Sequence, residues 1–504
     1  MLSYDTYMVI SKSEFMMFLK HPAWLWLKKY DKTKIPIPDE DLQARFDEGT
    51  LFEEYAEKLF PDAVKLGYKN DGVFSGTMYY GLPDETKKLL EKNTRVILQG
   101  RLEVDNITSI FDVLERTGDN TYNLFEIKSS TTVKPEHIPD LAFQTIVLEK
   151  AGLKIENIYV LHVNNEYVRH GDIEPLEISK KTEVTDEVRE IIDETLYNIG
   201  KAFEVLAKKE MPDISPRHLK GALGEWLEIL ELVQGEVDKY SIYNLTRITP
   251  KKIGELEDMG VSLIGDIPSE FELAETQERQ VTATRTGVRK VDQEEIKSFL
   301  DALEFPLHFF DYETVMSVIP IFEGTKPYQQ IPFQYSLNIE DLPGGELRHK
   351  EYLHTTHSDP VPALLKQMKE DFEGRGSVIS WNKKFEMTRN DEMGKLYPEY
   401  AKFLRNINDR MVDLMDPFIK GWFVDKDFIG SASIKRVLPV LVPELSYKEL
   451  EVSHGGMAQR VWMQTMLKGK NIDSKDEIIG HLKKYCALDT YAMYAIYKYL
   501  LETI

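Results

Sequence analysis

Hydrophobic and polar positions follow two different periods along the first part of the chain. Residues 1–60 carry apolar positions at helical spacing, in the segments SKSEFMMFLKHPAWLWLKKYDK and DLQARFDEGTLFEEYAEKLFP, which predicts amphipathic helices. From 94 to 168 the pattern is that of short strands, in the runs RVILQGRLEV, ITSIFDVLER, YNLFEIKSS and NIYVLHVN. DLAFQTIVLEKAGL is predicted to be a helix before the last run, and RTGDNTYN a hairpin turn between the second and third. These elements predict an α/β unit.

The pattern changes twice more toward the C-terminus. Residues 175–300 are predicted to be largely helical, and LTRITPKKIGELEDMGVSLIGDIP (245–268) predicts two short helices that resemble a helix-hairpin-helix element, with an ordinary connector as the alternative. From 305 a second α/β pattern begins, with PLHFFDYET, IPFQYSLNI, HKEYLHTT and GSVISWNKKFE before a long final helix. The predicted organisation is a domain at 1–215, a helical connector at 216–300 and a domain at 301–504.

Composition narrows the class of protein. A chain of 504 residues is expected to hold more than one domain, and contents of 42% hydrophobic and 29% charged residues are typical of a globular protein. The one cysteine, Cys486, excludes an intramolecular disulfide and an all-cysteine metal site. No secretory signal is evident and no apolar run reaches the roughly 18 residues of a membrane helix, so a cytoplasmic protein without a membrane partner is expected.

The charge balance restricts how the chain can handle nucleic acid. A formal net charge of -22 argues against nucleic-acid binding through bulk electrostatics, which favours basic proteins. Acidic side chains can instead hold divalent cations in a local groove. A metal-dependent nuclease therefore remains open.

A first set of charged residues lies on the predicted hairpin. Asp112 and Glu126 are expected to meet on adjacent antiparallel strands, and Lys128 projects from the same face as Glu126 because side chains two apart share a face. Two carboxylates suit Mg²⁺ or Mn²⁺, and an adjacent lysine can orient the attacking water. These are the components of a phosphodiester hydrolase. A surface hairpin with a salt bridge between Glu126 and Lys128 is the alternative.

This set resembles the PD-(D/E)XK nucleases of the RecB-like branch, over roughly residues 1–215. The resemblance implies further site residues. DEGTLFEE resembles the first motif of the branch, a glycine followed four residues later by a histidine, and Glu53 stands in the histidine position as a possible metal ligand. LAFQTIVLEKAG supplies Gln144, which matches the glutamine that helps to position the substrate.

One sub-branch of that family, the CRISPR-associated RecB-like exonucleases, holds an iron–sulfur cluster through four cysteines. His21, in KHPAW, stands at the expected first cysteine position, and the distal region MPDISPRHLKGALGEW has no cysteine. The resemblance therefore implies that no iron–sulfur cluster is bound.

A second set of acidic residues lies in the C-terminal part. Asp311 and Glu313 share one face of a predicted strand, and Tyr485 and Asp489, four apart, share one face of the final helix. VISWNKKFEM offers Glu386 between them. Four carboxylates can hold two metal ions that activate the water and stabilise the leaving oxygen, with the tyrosine hydroxyl orienting the water. A solvated strand end and a packed aromatic are the alternatives for the separate motifs.

This set resembles the DEDD exonucleases of the DnaQ-like, RNase H-fold class, in the subgroup with a final Tyr-x-x-x-Asp motif, over about 305–504. Glu386 stands where the family has an aspartate, with Asp413 as the fallback ligand. GSASIKRVLP is similar to a helix start in the family, which implies that Lys435 faces a phosphate. The whole chain resembles an uncharacterised bacterial family that joins the two nuclease types.

The prediction is thus a Mg²⁺- or Mn²⁺-dependent nuclease with two active sites, the second a 3′ to 5′ exonuclease by resemblance, acting on nucleic acid, with DNA favoured over RNA. A nucleic-acid-binding or assembly protein with inactive nuclease folds is the rival, because Glu53 and Glu386 depart from the family patterns. One active domain beside one scaffold domain is the third possibility.

Overall fold

The computed structural model of the chain describes residues 8–67 and 76–504. It forms two compact units, one of Met1–Val237 with Ser317–Tyr328 and one of Asp238–Met316 with Gln329–Ile504. Each unit combines a β-sheet with several helices, so the mixed α/β class predicted from the sequence is confirmed. Residues 216–237 of the predicted connector belong to the first unit, and residues 238–300 to the second. The part of the helical prediction that concerns residues 1–7 lies outside the described residues.

Within its described residues, the first unit has seven strands in one sheet. Its strands are β1 Ile10–Ser11, β2 Val64–Lys65, β3 Val96–Val104, β4 Ile107–Gly118, β5 Thr121–Lys128, β6 Lys154–Val163 and β7 Ser179–Glu183. Its α-helices are α1 Lys12–Lys20, α2 Pro22–Tyr30, α3 Glu40–Glu57, α4 Gly76–Glu91, α5 His137–Lys150, α6 Pro175–Ile178, α7 Thr185–Glu190, α8 Ile192–Ala207 and α9 Leu223–Gln234.

The centre of this sheet is an antiparallel meander followed by a parallel crossover. Strands run in the order β2-β3-β4-β5-β6-β7, with β1 paired to β4. β3, β4 and β5 are antiparallel neighbours, and β6 lies parallel to β5 after the helix α5. The predicted hairpin, and the predicted helix before the last strand, are therefore present. β7, within a stretch predicted to be helical, pairs antiparallel with β6, because an exposed, charged strand lacks the apolar alternation on which the prediction depended.

The apolar side of α5 forms the centre of the first core. Leu141, Phe143 and Val147 are fully buried, and Phe143 stacks on Phe15 of α1 with ring centroids 4.9 Å apart. Burying side chains of this size stabilises the fold by about 2 kcal/mol each. The same packing brings the start of α1 toward α5 and β5.

His21 joins the α1–α2 corner to the distal helical region of the first unit. It is fully buried and stacks on Trp226 of α9, with centroids 3.8 Å apart. Its Nε2 lies 3.0 Å from the Ser215 carbonyl oxygen, and its Nδ1 accepts a hydrogen bond from the Ala23 N–H. These contacts assign the proton to Nε2. The stacked rings of His21 and Trp226 thus hold together the two segments in which the sequence lacks the cysteines of an iron–sulfur cluster.

Acid should destabilise the first unit through His21. Burial lowers the pKa of His21 from 6.5 to about 4. The unfolded chain binds the proton first, so stability is complete above about pH 6.5 and is lost as the pH falls toward 4. The difference corresponds to about 3 kcal/mol. We expect His21→Gln, which keeps a donor and an acceptor, to flatten this part of the melting-temperature profile. His357→Gln, at an exposed position, is the control, and an equal effect of both changes would contradict the argument.

The second unit contains a five-stranded sheet and a two-stranded sheet. Its strands are β8 Lys290–Val291, β9 Leu307–Val315, β10 Ile331–Glu340, β11 Leu347–Leu353, β12 Val378–Ser380, β13 Met411–Asp413 and β14 Phe423–Val424. Its α-helices are α10 Pro250–Asp258, α11 Glu275–Thr286, α12 Gln293–Asp301, α13 Val361–Asp371, α14 Lys384–Leu396, α15 Ala401–Asp409, α16 Asp416–Ile419, α17 Ile434–Leu441, α18 Gly455–Trp462 and α19 Lys475–Thr503.

The larger sheet of this unit runs β11-β10-β9-β12-β13. β9, β12 and β13 are parallel neighbours, and β10 is antiparallel to both of its neighbours, β9 and β11. The helix α19 lies on β9 and β10. Buried polar side chains of β10 hold it there: Gln334 donates to the Leu482 carbonyl oxygen at 3.0 Å, and Ser336 and Asn338 contact the Thr490 hydroxyl. This polar seam determines which side of α19 faces the sheet.

Two further features bear on the predictions. The first of the short helices expected in 245–268 is α10, whereas the second is a three-residue 3₁₀ turn, Ile264–Asp266, because too few residues separate it from Pro268 for a longer helix. Across the described residues, no helix combines the length and the apolar character needed to traverse a bilayer.

Candidate functional site

The first predicted set of residues meets on the β4–β5 hairpin. Val113 pairs with Phe125, so Asp112 and Glu126 are the next residues on the two antiparallel strands. Asp112 is half-buried and accepts a hydrogen bond from the Ile127 N–H at 2.7 Å through Oδ2. Sheet pairing therefore brings together the two acids that the sequence separates by a turn.

Glu126 is the most heavily contacted acid of this site. It is 2% exposed, and its Oε1 accepts from Lys128 at 2.6 Å and from Lys12 at 2.8 Å. Its Oε2 accepts from Gln144 at 2.6 Å. Asp140 binds the same two lysines, at 3.3 Å from Lys12 and 2.9 Å from Lys128. We call these five residues the lysine-acid cluster; both oxygens of its central carboxylate already have partners.

Glu53, on α3, is hydrogen-bonded to a residue of β3 that has an uncommon backbone conformation. Its Oε1 accepts a hydrogen bond from Gln99. Gln99 lies in β3 with a φ of 55°, a left-handed conformation that is rare for a non-glycine residue within a strand. Such conformations persist only where the surroundings impose them. The Gln99 side chain is thereby aimed at Glu53.

The pKa values of the acids in the first site are shifted in opposite directions. Burial and the Glu126 carboxylate raise the pKa of Asp112 well above its usual range, and burial raises the pKa of Glu53 to about 7. Burial also acts to raise the pKa of Glu126, but Lys12 and Lys128 outweigh it and hold that pKa well below its usual range. Glu126 is therefore the ionised member, and its charge is balanced by lysines.

The second predicted set meets at one end of the larger sheet in the second unit. Asp311 and Glu313 lie on β9 opposite Ser336 and Gln334, on the side that faces α19. Among residues 8–67 and 76–504, one trio of possible metal ligands has its ligand atoms all within 4.8 Å of one another, namely Asp311, Glu313 and Cys486. Glu53, Asp112 and Glu126 do not form such a trio.

Glu386 enters the second site from the first turn of α14, just beyond the end of β12. Together with burial and Asp489, Glu386 raises the pKa of Asp311. The Glu386 side chain is 1% exposed, and its Oε2 has no hydrogen-bond partner. Unsatisfied buried carboxyl oxygens are unusual in native proteins and invite an explanation.

Asp489 is held by a residue that the sequence patterns did not indicate. Tyr447 donates a hydrogen bond to its Oδ1 at 2.6 Å, and Tyr485 lies four residues before it on α19. The two tyrosine rings meet edge to face at 6.2 Å. Lys435 lies over both rings, 5.4 and 5.6 Å from their centroids, and donates to the Ser453 carbonyl oxygen.

The acids of the second site repel one another. We call Asp311, Glu313, Glu386 and Asp489 the acid cluster. Burial and the neighbouring Asp489 carboxylate raise the pKa values of Asp311 and Glu313 well above their usual range. Burial raises the pKa of Glu386 to about 8 and that of Asp489 to about 6, where Tyr447 and Lys435 oppose the rise. In the lysine-acid cluster, by contrast, two lysines pair with the central carboxylate.

The fallback ligand Asp413 has another task. Its carboxylate accepts from the backbone N–H groups of Asn382, Lys383 and Met415 at 2.9–3.0 Å. These contacts hold the turn between β12 and α14. Asp413 therefore has a structural role at the end of the core strand β13.

Several residues of the two sites were not predicted. Asp140 lies four residues before Gln144 on α5, a helical spacing that was available as a signal. Lys12, Gln99 and Tyr447 carry no local signal, because their partners are 114, 46 and 42 residues away. Cys486 is buried, and it faces two carboxylates.

Tyr447→Phe should weaken the second site without unfolding it. The change removes the hydrogen bond to Asp489 and frees a ligand-type carboxylate to rotate. We expect metal-dependent activity of this site to fall by about 10–100-fold, the range for partners that orient ligands. Tyr335→Phe is the matched control, because its hydroxyl donates at 2.7 Å to Asp371, an acid outside the cluster. Activity that falls equally in both variants would indicate a general packing defect.

One protein family matches part of the second unit. The family is described as Domain of unknown function (DUF2779), and the match covers residues 308–433. It includes three members of the acid cluster, Asp311, Glu313 and Glu386, and ends before Lys435.

Three curated proteins are similar to part of the chain. Uncharacterized protein MG366 of Mycoplasma genitalium is 28% identical over 216 residues, which cover 39% of this chain and 32% of the relative. Uncharacterized protein MG366 homolog of Mycoplasma pneumoniae is 26% identical over 226 residues, which cover 41% of this chain and 34% of the relative. Uncharacterized protein UU173 of Ureaplasma parvum is 27% identical over 220 residues, 39% and 31%. The chain thus matches about a third of the length of these relatives.

Proposed function

We propose that this chain is a metal-dependent nuclease with two candidate active sites. The first unit is taken as a RecB-like PD-(D/E)XK nuclease domain and the second as a DnaQ-like exonuclease domain of RNase H fold. The observation that carries the proposal is the acid cluster, in which β9, α14 and α19 supply acids from positions far apart in the sequence. Packing alone gives no reason to bury so many like charges together.

The acid cluster suits a divalent cation. Asp311 and Glu313 have ligand atoms within 4.8 Å of each other, and Glu386 has a buried oxygen without a partner. Carboxylate oxygens are the ligands that Mg²⁺ and Mn²⁺ prefer. When bound there, such ions would lower the pKa of water and offset the charge that develops on the phosphate.

The remaining side chains of the second site then have definite tasks. Tyr485, beside Asp489, would orient the attacking water through its hydroxyl group, and Tyr447 would hold the Asp489 carboxylate in a fixed rotamer. Lys435 lies close to both tyrosine rings and would contact a phosphate oxygen of the substrate. A 3′ to 5′ direction is part of the proposal through the family resemblance.

In the first site, Asp112, Glu126 and Glu53 would hold the cation, and Lys128 would orient the water. Gln144 would position the substrate from α5. Lys12 adds a second ammonium group at the Glu126 carboxylate. Once a cation takes the place of Lys12 at that carboxylate, the released ammonium group would contact a phosphate of the substrate. The proposed substrate is nucleic acid, with DNA favoured over RNA.

A second candidate function is nucleic-acid binding or assembly without cleavage in the first unit. Lys12, Lys128 and Gln144 occupy both oxygens of Glu126, so a cation must displace at least one of them. If displacement is too costly, the first unit is a scaffold beside an active second unit.

A panel of labelled single- and double-stranded DNA and RNA, incubated with Mg²⁺, Mn²⁺ or a chelator, tests the proposal. We expect cleavage with a metal and none with the chelator, and loss of separate activities in Lys128→Ala and Asp311→Ala. A substrate that is retained intact under every condition would favour the binding protein. If neither substitution lowers turnover, the site assignments are wrong.

A further inference from the structure

The acid cluster contains a sulfur atom that the proposed mechanism does not use. Cys486 lies on α19 between Tyr485 and Asp489, and its Sγ lies within 4.8 Å of ligand oxygens of both Asp311 and Glu313. The side chain is fully buried. A cysteine that only filled space in the helix core would have apolar neighbours, whereas this one faces two carboxyl groups.

The surroundings of Cys486 are built to keep this geometry. β10 holds α19 through buried hydrogen bonds from Gln334 and Asn338, so rotation of the helix would break buried polar contacts. Glu386, another member of the acid cluster, is 1% exposed and keeps an Oε2 without a hydrogen-bond partner. This orphaned oxygen is a second sign, independent of the sulfur, that a positive ligand belongs in the cluster.

We infer that Cys486 is a ligand of the metal site in the second unit, so that this site takes a thiophilic divalent cation such as Zn²⁺, Co²⁺ or Cd²⁺ together with Asp311 and Glu313. The inference rests on the proposed function in one respect, that a cation binds these two acids. On binding, the thiol proton passes to solvent and the thiolate forms the bond to the cation.

Ligand geometry and ligand chemistry both fit this assignment. In a zinc site, one sulfur and one oxygen ligand stand about 3.5 Å apart, as follows from bond lengths of about 2.3 and 2.1 Å at a tetrahedral angle. The separations within the trio, under 4.8 Å, require only small side-chain movements. Thiolate ligands select softer cations, whereas carboxylates alone suit Mg²⁺ and Mn²⁺. One sulfur among oxygens therefore shifts the preference of the site.

The chain offers a direct spectroscopic test, because Cys486 is its one cysteine. We would titrate the full chain, free of metal, with Cd²⁺ and with Co²⁺ and record absorption. A thiolate-to-metal charge-transfer band is expected at one equivalent per chain, and it can arise from no other residue. Cys486→Ser should abolish the band, and Glu313→Gln should weaken Cd²⁺ binding by about tenfold or more. Asp301→Asn, which changes an exposed acid paired with Lys297, is the control and should leave the titration unchanged.

The absence of a band in the wild-type chain at saturating Cd²⁺ would overturn the inference. If Glu313→Gln shows the band and binds Cd²⁺ as tightly as the wild type, Glu313 and Cys486 do not share a metal site. Cleavage assays with Mg²⁺ and Mn²⁺ keep this result apart from the proposed function. Cleavage without a band leaves the nuclease and removes the sulfur ligand, whereas a band without cleavage leaves the metal site and removes the nuclease.

Discussion

Asp311→Asn should abolish cleavage by the second unit and make the metal-free protein more stable. Asparagine has the shape of aspartate without its charge, so it removes a ligand and also relieves repulsion from Glu313, Glu386 and Asp489. We expect activity to fall by at least about a hundredfold, as for loss of a main electrostatic group in an active site. At a pH where Asp311 is ionised, removing this half-buried charge should raise the free energy of unfolding by about 1–3 kcal/mol.

The gain in stability should depend on pH with a definite sign. Acids whose pKa values are raised by folding, Glu386 to about 8 and Asp489 to about 6, stabilise the protein at low pH, and this contribution is lost as the pH rises through those values. The pKa of Asp311 is also raised well above its usual range, so the advantage of Asp311→Asn should be smallest at low pH and should grow as the pH rises.

Melting curves of the chelated protein measure this advantage. Added Mn²⁺ should raise the melting temperature of the wild type more than that of the variant, because a ligand stabilises the state that binds it. Asp301→Asn is the control, since Asp301 is an exposed acid paired with Lys297. A destabilised Asp311→Asn protein would show that the acid cluster is held by contacts other than those described.

Glu126→Gln should have the opposite effect on stability. The same change from acid to amide removes the carboxylate that Lys12 and Lys128 share and leaves two neighbouring ammonium groups with Asp140 alone. Breaking a buried ion pair from one side costs about 3–5 kcal/mol. The lysine side chains are 22% and 25% exposed, which places the expected loss near the lower end, at about 3 kcal/mol.

Chemical denaturation of the metal-free protein measures this loss. The double variant Lys12→Met, Glu126→Gln removes one charge of each sign and should recover a large part of it, giving a coupling free energy of about 1–3 kcal/mol. Glu225→Gln is the control, because that acid lies 3.5 Å from Lys20 at the surface and exposed pairs contribute little. A loss below about 1 kcal/mol in Glu126→Gln would mean that the cluster is solvated like a surface salt bridge.

The two acid sites therefore differ in how they treat charge before any cation binds. In the first unit, lysines compensate the central carboxylate and lower its pKa. In the second unit, burial and the neighbouring Asp489 carboxylate raise the pKa values of Asp311 and Glu313. An added cation should consequently stabilise the second unit more than the first, because in the first it must displace an existing partner.

Much of this organisation was available from the sequence, because it depends on short-range patterns. The alternation of YNLFEIKSS predicts a strand and places Glu126 and Lys128 on one face, and the turn residues before it predict the hairpin that brings Asp112 close. The spacing of Tyr485 and Asp489 places both on one side of a helix. Residues a few positions apart are related by local geometry, which the period of the element determines.

Only the tertiary structure decided which distant residues complete the sites. Lys12 reaches Glu126 because the α1 core packs against α5, and Tyr447 reaches Asp489 because a loop after α17 returns to α19. Cys486 faces Asp311 because the polar seam on β10 sets the rotation of α19. Strand register, helix rotation and loop path follow from the summed packing of the whole unit. No short stretch of sequence specifies this packing, so the motifs could not predict which charged residues surround each site.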